Sequence, residues 1–152
     1  MALLVNGIPE ISALSGRDLG RSEWREVTQP LIDAFADVSG DHQWIHTDVD
    51  RAAKGAFGGT IAHGYMILSW GVPMFAELLR VTGVGMALNY GVNKVRFPSP
   101  VPVGSRVRLH AVVSEVREVG RGGVQMHRRF TFELEASEKP ACVAESLTHF
   151  YP

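Results

Sequence analysis

The segment Tyr65-Met-Ile-Leu-Ser-Trp-Gly-Val-Pro-Met-Phe-Ala-Glu-Leu-Leu79 decides the fold. Its side chains are apolar almost all round a helical wheel, which predicts one long helix that is buried on every side. Pro73 lacks a backbone donor and predicts a kink in this helix. Gly83 and Gly85 are expected to close it. The run is shorter than the ~20 residues of a membrane-spanning helix, so it predicts a central helix of a water-soluble domain.

Downstream of this segment, from Met86 onward, apolar residues recur with a period of two. This pattern predicts strands over residues 88–97, 106–116, 124–135 and 141–151. Gly120-Arg-Gly-Gly123 and Ser137-Glu-Lys-Pro140 have the composition of hairpin turns. One buried helix followed by an antiparallel meander predicts an α+β fold, with the sheet wrapped around the helix. The residues predicted to share the inner face are Val107, Leu109, Ala111, Val113, Val124, Met126, Phe130, Phe132 and Leu134.

Upstream, residues 1–20 carry little pattern and are interpreted as an N-terminal arm, and residues 22–27 as a short strand. Thr28 is a suitable N-cap, and Pro30 suits the first turn of a helix. That helix is predicted to run from Leu31 to about Val38. A further helical turn is predicted over residues 51–54. The apolar face of the first helix is expected to comprise Leu31, Ala34, Phe35 and Val38.

The first candidate site is Val38-Ser-Gly-Asp-His-Gln-Trp-Ile-His46, where Asp41 precedes His46 by five residues. In a continuous helix that spacing separates two side chains by about 140°, so they would point apart. The two can act together only if the helix ends before Asp41. Gly40 suits such a break, because glycine readily adopts left-handed backbone angles.

The second candidate site is Ile61-Ala-His-Gly-Tyr65, where Gly64 heads the long apolar run. A helix that begins here offers unpaired backbone N–H groups at the positive end of its dipole. Such donors can stabilise an oxyanion. A carboxylate, an imidazole and an oxyanion donor are therefore available within a short span of chain.

These residues resemble a known family. Phe35-Ala-Asp-Val-Ser-Gly-Asp-His-Gln-Trp-Ile-His46 is similar to the signature of MaoC-like, (R)-specific enoyl-CoA hydratases, which have the hot-dog fold. Residues 61–64 and 96–104 fall where that family's central helix and following strand fall. Within this family, the stretch Asp41-His-Gln-Trp-Ile-His46 most resembles the NodN-like branch. The chain departs from the family signature in having Gln43-Trp44 in place of Asn-Pro, and Val72 near the position of a family serine.

The resemblance implies a hydro-lyase that adds water reversibly to a trans-2-enoyl thioester. Asp41 would activate the water, His46 would orient it and relay the proton, and the Gly64 N–H would bind the thioester oxygen. Coenzyme A would be part of the substrate, and no separate cofactor or metal is expected. The sequence does not specify the length of the acyl chain, nor whether coenzyme A or acyl carrier protein carries it. The residues expected to bind substrate are Gln43, His63, Tyr65 and Trp70.

Other interpretations of the same residues are available. Ser39-Gly-Asp41 alone is an ordinary helix stop, and a lone His46 is more often structural than catalytic. A hot-dog thioesterase would use the same helix start, but the spacing of Asp41 and His46 favours hydration. A non-catalytic acyl-binding protein, or one subunit of a heteromer, is suggested only by Gln43-Trp44 and Val72.

Composition limits the remaining possibilities. The chain has 152 residues, 45% hydrophobic content and a net charge of -1, which indicates one domain over residues 1–152 and argues against nucleic acid as a partner. The lone Cys142 suits a reducing compartment, and the N-terminus lacks a signal-peptide pattern, so a cytoplasmic protein without a membrane segment is expected. Pairing of sheet edges predicts a homodimer. The arginines expected mostly on solvated strand faces, one or two of them meeting coenzyme A phosphates, are Arg96, Arg106, Arg108, Arg121 and Arg128.

Overall fold

A computed structural model describes all 152 residues, which form six short helices and eight strands. The helices are α1 (Gly7–Ser12), α2 (Gln29–Ser39), α3 (Trp44–Thr47), α4 (Val49–Ala53), α5 (Gly64–Ser69) and α6 (Gly71–Leu78). The strands are β1 (Leu3–Asn6), β2 (Asp18–Arg21), β3 (Arg25–Glu26), β4 (Leu79–Thr82), β5 (Met86–Arg96), β6 (Arg106–Val119), β7 (Gly123–Leu134) and β8 (Cys142–Tyr151).

The main sheet is antiparallel, with the order β2-β6-β7-β8-β5 and with β3 also paired to β6. Strands β6, β7 and β8 form the predicted meander through two hairpins. The predicted meander is wrong for β5, which pairs with β8 and not with β6, its successor in the chain. Residues 97–105 between them therefore cross from one side of the sheet to the other. The predicted α+β class is confirmed, because an antiparallel sheet and the central helical segment share one core.

The inner face of the sheet follows the predicted alternation. All nine residues assigned to it from the period of two are buried, and Val107, Leu109 and Phe132 have no exposed surface. They form one core with α1, α5 and α6. Cys142 belongs to this core, and burial raises the pKa of its thiol to about 12. That thiol is therefore a packing group.

The central helix differs from the prediction of one continuous helix over residues 65–79. Trp70 separates α5 from α6, and Leu79 already belongs to β4. Pro73 explains the position of the break, because it cannot donate to the carbonyl of Ser69 and its ring crowds that carbonyl. The prediction of burial on every side is also wrong. Met66, Met74 and Phe75 are buried, whereas Tyr65 and Val72 lie on a face that this chain leaves exposed.

The N-terminal residues 1–20 are part of the folded body and form β1, α1 and β2. Strand β1 pairs in parallel with β4, and Ile11 of α1 is fully buried in the core. In α2 the predicted apolar face is confirmed only for Phe35, which is half-buried against the core. Ile32 and Ala36 are the buried residues, while Val38 is 88% exposed. No helix of the structure has the length and apolar character needed to cross a membrane.

Candidate active site

The end of α2 delivers Asp41 into a loop, as the sequence predicts. Gly40 takes a left-handed conformation with φ of 77°, and its N–H donates to the carbonyl of Ala36 at 2.9 Å. This geometry closes the last turn of α2 and turns the chain out of the helix. A residue with a β-carbon would be strained here.

A short turn fixes the carboxylate of Asp41. Its Oδ1 accepts from the backbone N–H of Gln43 at 3.2 Å, and its own N–H donates to Ser39 Oγ at 3.3 Å. The single turn of α3 then brings His46 back towards Asp41. The distance from Asp41 Oδ2 to His46 Nε2 is 4.0 Å. The two side chains therefore face each other at a separation that leaves room for a hydrogen-bonded group between them.

The tautomer of His46 follows from its partner. Nδ1 lies 2.7 Å from the carbonyl oxygen of Ile61, which can only accept, so Nδ1 carries the proton and Nε2 presents a lone pair towards Asp41. Burial lowers the pKa of His46 below its ordinary value, and the neighbouring His63 contributes in the same direction. His46 is thus held neutral near pH 7, as a general base requires.

His63 supports this arrangement from the N-cap position of α5. Its ring stacks on His46 with centroids 3.8 Å apart, and its Nε2 donates to the backbone carbonyl of Asp41 at 2.9 Å. Its Nδ1 is buried without a hydrogen-bond partner. His63 therefore connects the start of α5 to both Asp41 and His46.

A polar clamp that the sequence analysis does not identify holds α3 from the other side. Gln29 Nε2 donates to the backbone carbonyl of His46 at 2.8 Å, while Gln29 Oε1 accepts from Thr60 Oγ1 at 2.5 Å. The N–H of Ile61 also donates to the carbonyl of Ile45 at 3.0 Å. These groups come from three separate segments of the chain, at residues 29, 45–46 and 60–61, so sequence spacing could not reveal the clamp.

Gly64 begins α5 beside this pair. The first intrahelical bond of the segment runs from the Ile67 N–H to the carbonyl of His63, so the N–H groups of Gly64 and Tyr65 precede the helical ladder. A β-carbon on Gly64 would lie 2.9 Å from the ring of Phe97. Glycine therefore permits the close packing of Phe97 against the start of α5.

These residues line one cleft of about 710 Å³. Asp41, His46, His63, Gly64 and Tyr65 all border it, so five of the seven residues predicted for the site come together. The structure adds Phe35, Phe57 and Phe97 as apolar walls, which carry no distinguishing sequence pattern.

Two residues expected to bind substrate lie elsewhere. Gln43 is exposed and contributes through its backbone alone: its N–H holds Asp41, and its carbonyl accepts from the His46 N–H at 2.9 Å. Trp70 packs against the core, with the guanidinium of Arg25 5.4 Å from its ring. Neither side chain borders the cleft, so the structure gives no support for their expected contact with substrate.

The same cluster has the composition of a metal site. Ligand atoms of Asp41, His46 and His63 all lie within 4.8 Å of one another. However, one nitrogen of each imidazole is already engaged with a backbone carbonyl. The expectation that the protein needs no metal stays a prediction.

Fold and site together define a hot-dog domain with an aspartate–histidine pair at the start of its central helix. Residues 10–131 match the MaoC like domain, and the chain belongs to this family. It is 49% identical over 143 residues to 3-hydroxyacyl-thioester dehydratase Z of Mycobacterium tuberculosis, covering 94% of this chain and 95% of that protein. It is 42% identical over 143 residues to nodulation protein N of Rhizobium leguminosarum, covering 93% and 89%.

Solved structures show the same architecture. A monoamine oxidase regulatory protein from Archaeoglobus superposes with a TM-score of 0.81 at 26% identity, covering 97% of each chain. The (R)-hydratase from A. caviae involved in PHA biosynthesis superposes with a TM-score of 0.69 at 24% identity, covering 91% of this chain and 96% of that one. The hot-dog fold and the MaoC-like family predicted from the sequence are thereby confirmed.

Proposed function

We propose that this protein is an (R)-specific enoyl-CoA hydratase, acting in reverse as a 3-hydroxyacyl-CoA dehydratase. Hydro-lyase activity accords with the dehydratase relative that matches nearly the whole chain. The observation that carries the proposal is the lone pair of neutral His46 opposite the carboxylate of Asp41, beside the free N–H groups of α5. Coenzyme A enters as part of the substrate.

In the proposed mechanism a water molecule donates one hydrogen bond to Asp41 and one to His46 Nε2. As its oxygen attacks the β-carbon, the pair accepts one proton and returns a proton to the α-carbon, so no net charge is left behind. Positioned acid–base groups of this kind contribute ~10²–10⁴-fold. The Gly64 N–H stabilises the charge that develops on the thioester oxygen. Addition from one side, where the pair lies, gives a single stereoisomer.

The decisive experiment uses crotonyl-CoA and follows enoyl-thioester absorbance and free thiol in parallel. Loss of absorbance without thiol release is expected, with the (R)-alcohol as product. Thiol release would favour a hot-dog thioesterase, which the same helix start could serve. Cys142 offers no nucleophile for that reaction, because it is buried and its pKa is raised. If neither signal changes, the protein is a non-catalytic acyl-binding protein.

Gly64→Ala tests the thioester contact. The added carbon meets Phe97 at 2.9 Å, so either the ring or the start of α5 must move. We expect hydration to fall by ~10²-fold, comparable to the loss of one oxyanion donor. A normally active Gly64→Ala protein would show that the thioester does not bind at this helix end.

Phe97→Leu in combination with Gly64→Ala separates two causes of that loss. Recovery of the double variant to the level of Phe97→Leu alone would indicate that the β-carbon had displaced the donor. Persistent loss would place the β-carbon in the path of the substrate.

A homodimer accords with the free edge of β5. This strand pairs only with β8, and its apolar side chains are exposed to solvent, with Tyr90 60% and Val92 48% exposed. Val72 of α6 is 62% exposed beside it. A long apolar edge of this kind is a liability in a monomer, and pairing of two β5 edges about a two-fold axis would cover it.

Sedimentation tests this assembly, and a dimer at micromolar concentration is expected. Val92→Lys places a charge on the proposed interface and should shift the equilibrium towards monomer by at least ~10-fold. Val49→Lys, at another exposed valine, is the matched control. A stable wild-type monomer would contradict the proposal. Cytoplasmic location is the remaining part of the proposal and rests on the single buried, unpaired Cys142.

A further inference from the structure

Gln29, the first residue of α2, is half-buried, and its side-chain amide is bonded at both ends within the protein. One Nε2 hydrogen goes to the His46 carbonyl and the other to Asp33 Oδ1 at 2.8 Å, while Oε1 accepts from the hydroxyl of Thr60. The reversed amide would place its oxygen against two acceptors. Only one orientation of the Gln29 side chain therefore satisfies all three partners.

The carbonyl that Gln29 binds has no partner in its own helix. Helix α3 is a single turn, Trp44–Thr47, and the carbonyls in the last turn of a helix lack intrahelical donors. A helix of four residues is not stable by itself. The orientation of α3 therefore depends on the outside groups that bind its free carbonyls. Two of these are Gln29 Nε2 at His46 and the Ile61 N–H at Ile45.

Two adjacent residues, Thr60 and Ile61, fix both the backbone and the ring of His46. The Thr60 hydroxyl holds the His46 backbone through Gln29, and the Ile61 carbonyl holds the imidazole at Nδ1. A side chain whose backbone and ring are both fixed to one support can point its remaining nitrogen in only one direction. For His46 Nε2 that direction is towards Asp41.

The segment that begins with Thr60 is itself held in place. The Val103 N–H donates to the Thr60 carbonyl at 2.9 Å, and the Ala62 N–H donates to the Val101 carbonyl at 2.8 Å. Thr60 is 1% exposed, so its hydroxyl is shielded from water. A buried hydroxyl without a partner is costly, which favours its bond to Gln29.

Helix α2 connects the two members of the pair. Its first residue, Gln29, binds His46, and its last residue, Ser39, is followed after one glycine by Asp41. The 4.0 Å between Asp41 Oδ2 and His46 Nε2 is thus the one gap in a continuous ring of contacts. A shift of α3 relative to α2 changes this gap directly, and a misplacement of about 1 Å can cost ~10²-fold in rate.

We propose that Gln29 is a positioning residue for hydration, which sets the direction of the His46 lone pair relative to Asp41. This role rests on the proposed hydratase function. Gln29 does not border the cleft, so it acts through His46 and not by contact with substrate. If Gln29 only joined α2 to α3, its loss would lower the melting temperature and leave both turnover and the state of the His46 ring unchanged.

Gln29→Met removes the three side-chain hydrogen bonds with little change in size. We expect kcat for crotonyl-CoA to fall by about 10-fold while KM changes by less than about 2-fold, because substrate binding is kept and only the acid–base pair is misaligned. Tm should fall by about 3 °C, since Thr60 and the His46 carbonyl lose their partner.

Ile32→Val is the matched control for this loss of stability. Ile32 is fully buried on the same helix and lies outside the cleft. The lost methylene should lower Tm by about 3 °C as well. The bonds of Gln29 are kept, so kcat should stay within about 2-fold of the wild type. A Gln29→Met protein with near-wild-type kcat, or equal losses of kcat in the two variants, would overturn the proposal.

The ¹⁵N NMR shifts of the His46 ring provide a readout that a purely structural role would not change. In the wild type, protonated Nδ1 and unprotonated Nε2 should give well-separated shifts, because the Ile61 carbonyl selects one tautomer. In Gln29→Met the two shifts should move towards each other as the second tautomer is populated. The shifts of His42, exposed in the same loop, should stay constant. Unchanged His46 shifts in Gln29→Met would also overturn the proposal.

The NMR measurement needs no turnover, so it separates the two proposals. A wild type that does not hydrate crotonyl-CoA would contradict the hydratase function, and the His46 shifts would still decide whether Gln29 orients the ring. Should Gln29→Met fail to fold, Thr60→Val makes the same test by removing only the hydroxyl that holds the amide. Its kcat should fall by about 3-fold, with His46 shifts displaced in the same direction. A Thr60→Val protein with wild-type kcat and wild-type shifts would count against the role of Gln29.

Discussion

Asp41→Asn should lose ~10²-fold or more in turnover while keeping its fold. The amide oxygen of asparagine can still accept from the Gln43 N–H, which holds Asp41 Oδ1 in the present structure at 3.2 Å. The turn after α2 is therefore preserved. What disappears is the negative charge that faces His46 across 4.0 Å and that activates water in the proposed mechanism. Steady-state hydration of crotonyl-CoA at neutral pH measures the effect.

Asp37→Asn is the matched control for this substitution. Asp37 lies one turn earlier on α2, is largely exposed and pairs with His42 at 3.0 Å, outside the cleft. Its loss should change turnover by less than ~2-fold, since exposed ion pairs contribute little. Equal melting temperatures would show that both variants fold. Near-normal activity of Asp41→Asn would show that the Ser39-Gly-Asp41 motif only ends α2 and takes no part in catalysis.

The strands could be predicted because their pattern is local. Buried residues recur at every second position in β6 as far as Val113 and in β7 from Val124 to Leu134, so burial can be read directly along the chain. Strand pairing is different. The sequence carries no sign that β5 pairs with β8, or that β1 pairs in parallel with β4, because those partners are far apart along the chain.

Arg128 shows that the charge of a residue can lead to a wrong prediction even where the apolar periodicity is right. The period of two that places Met126 and Phe130 inside also places Arg128 inside, and the structure follows the period. Its charge led to the opposite expectation, since charged residues are rarely buried without a partner. A charged residue in phase with an apolar face is therefore expected to point inward with that face.

The Asp41–His46 pair shows a similar limit. The break at Gly40 is local and could be predicted from the sequence, whereas the catalytic role proposed for the two residues depends on the family resemblance. The protonation state of His46 could not be predicted from the sequence, because it depends on the carbonyl of Ile61, fifteen residues away, and on the stacked ring of His63. The exposed face of α6 was missed for a further reason. An apolar helix looks the same whether its own sheet or a second copy covers it.

His46→Gln should also lose ~10²-fold or more in turnover. The pH dependence of its residual activity provides a second measurement of the role of His46. Glutamine can donate to the Ile61 carbonyl as the Nδ1–H of His46 does at 2.7 Å, but it has no basic nitrogen to face Asp41. Loss of the buried ring, stacked on His63, should cost about 1–2 kcal/mol of stability. His42→Gln, in the exposed part of the same loop, is the matched control and should stay active.

The pH profile of the wild type follows from the lowered pKa of His46, which burial causes. The proposed mechanism needs the neutral imidazole, so kcat/KM should be constant near pH 7 and fall as the pH drops through the pKa of His46, below about 6.5. Stability should fall in the same window, because the unfolded chain binds this proton more readily than the folded one. In His46→Gln the residual activity should lack this acid limb. An unchanged profile in that variant would show that another group controls the acid limb, and near-wild-type turnover would make His46 a structural residue.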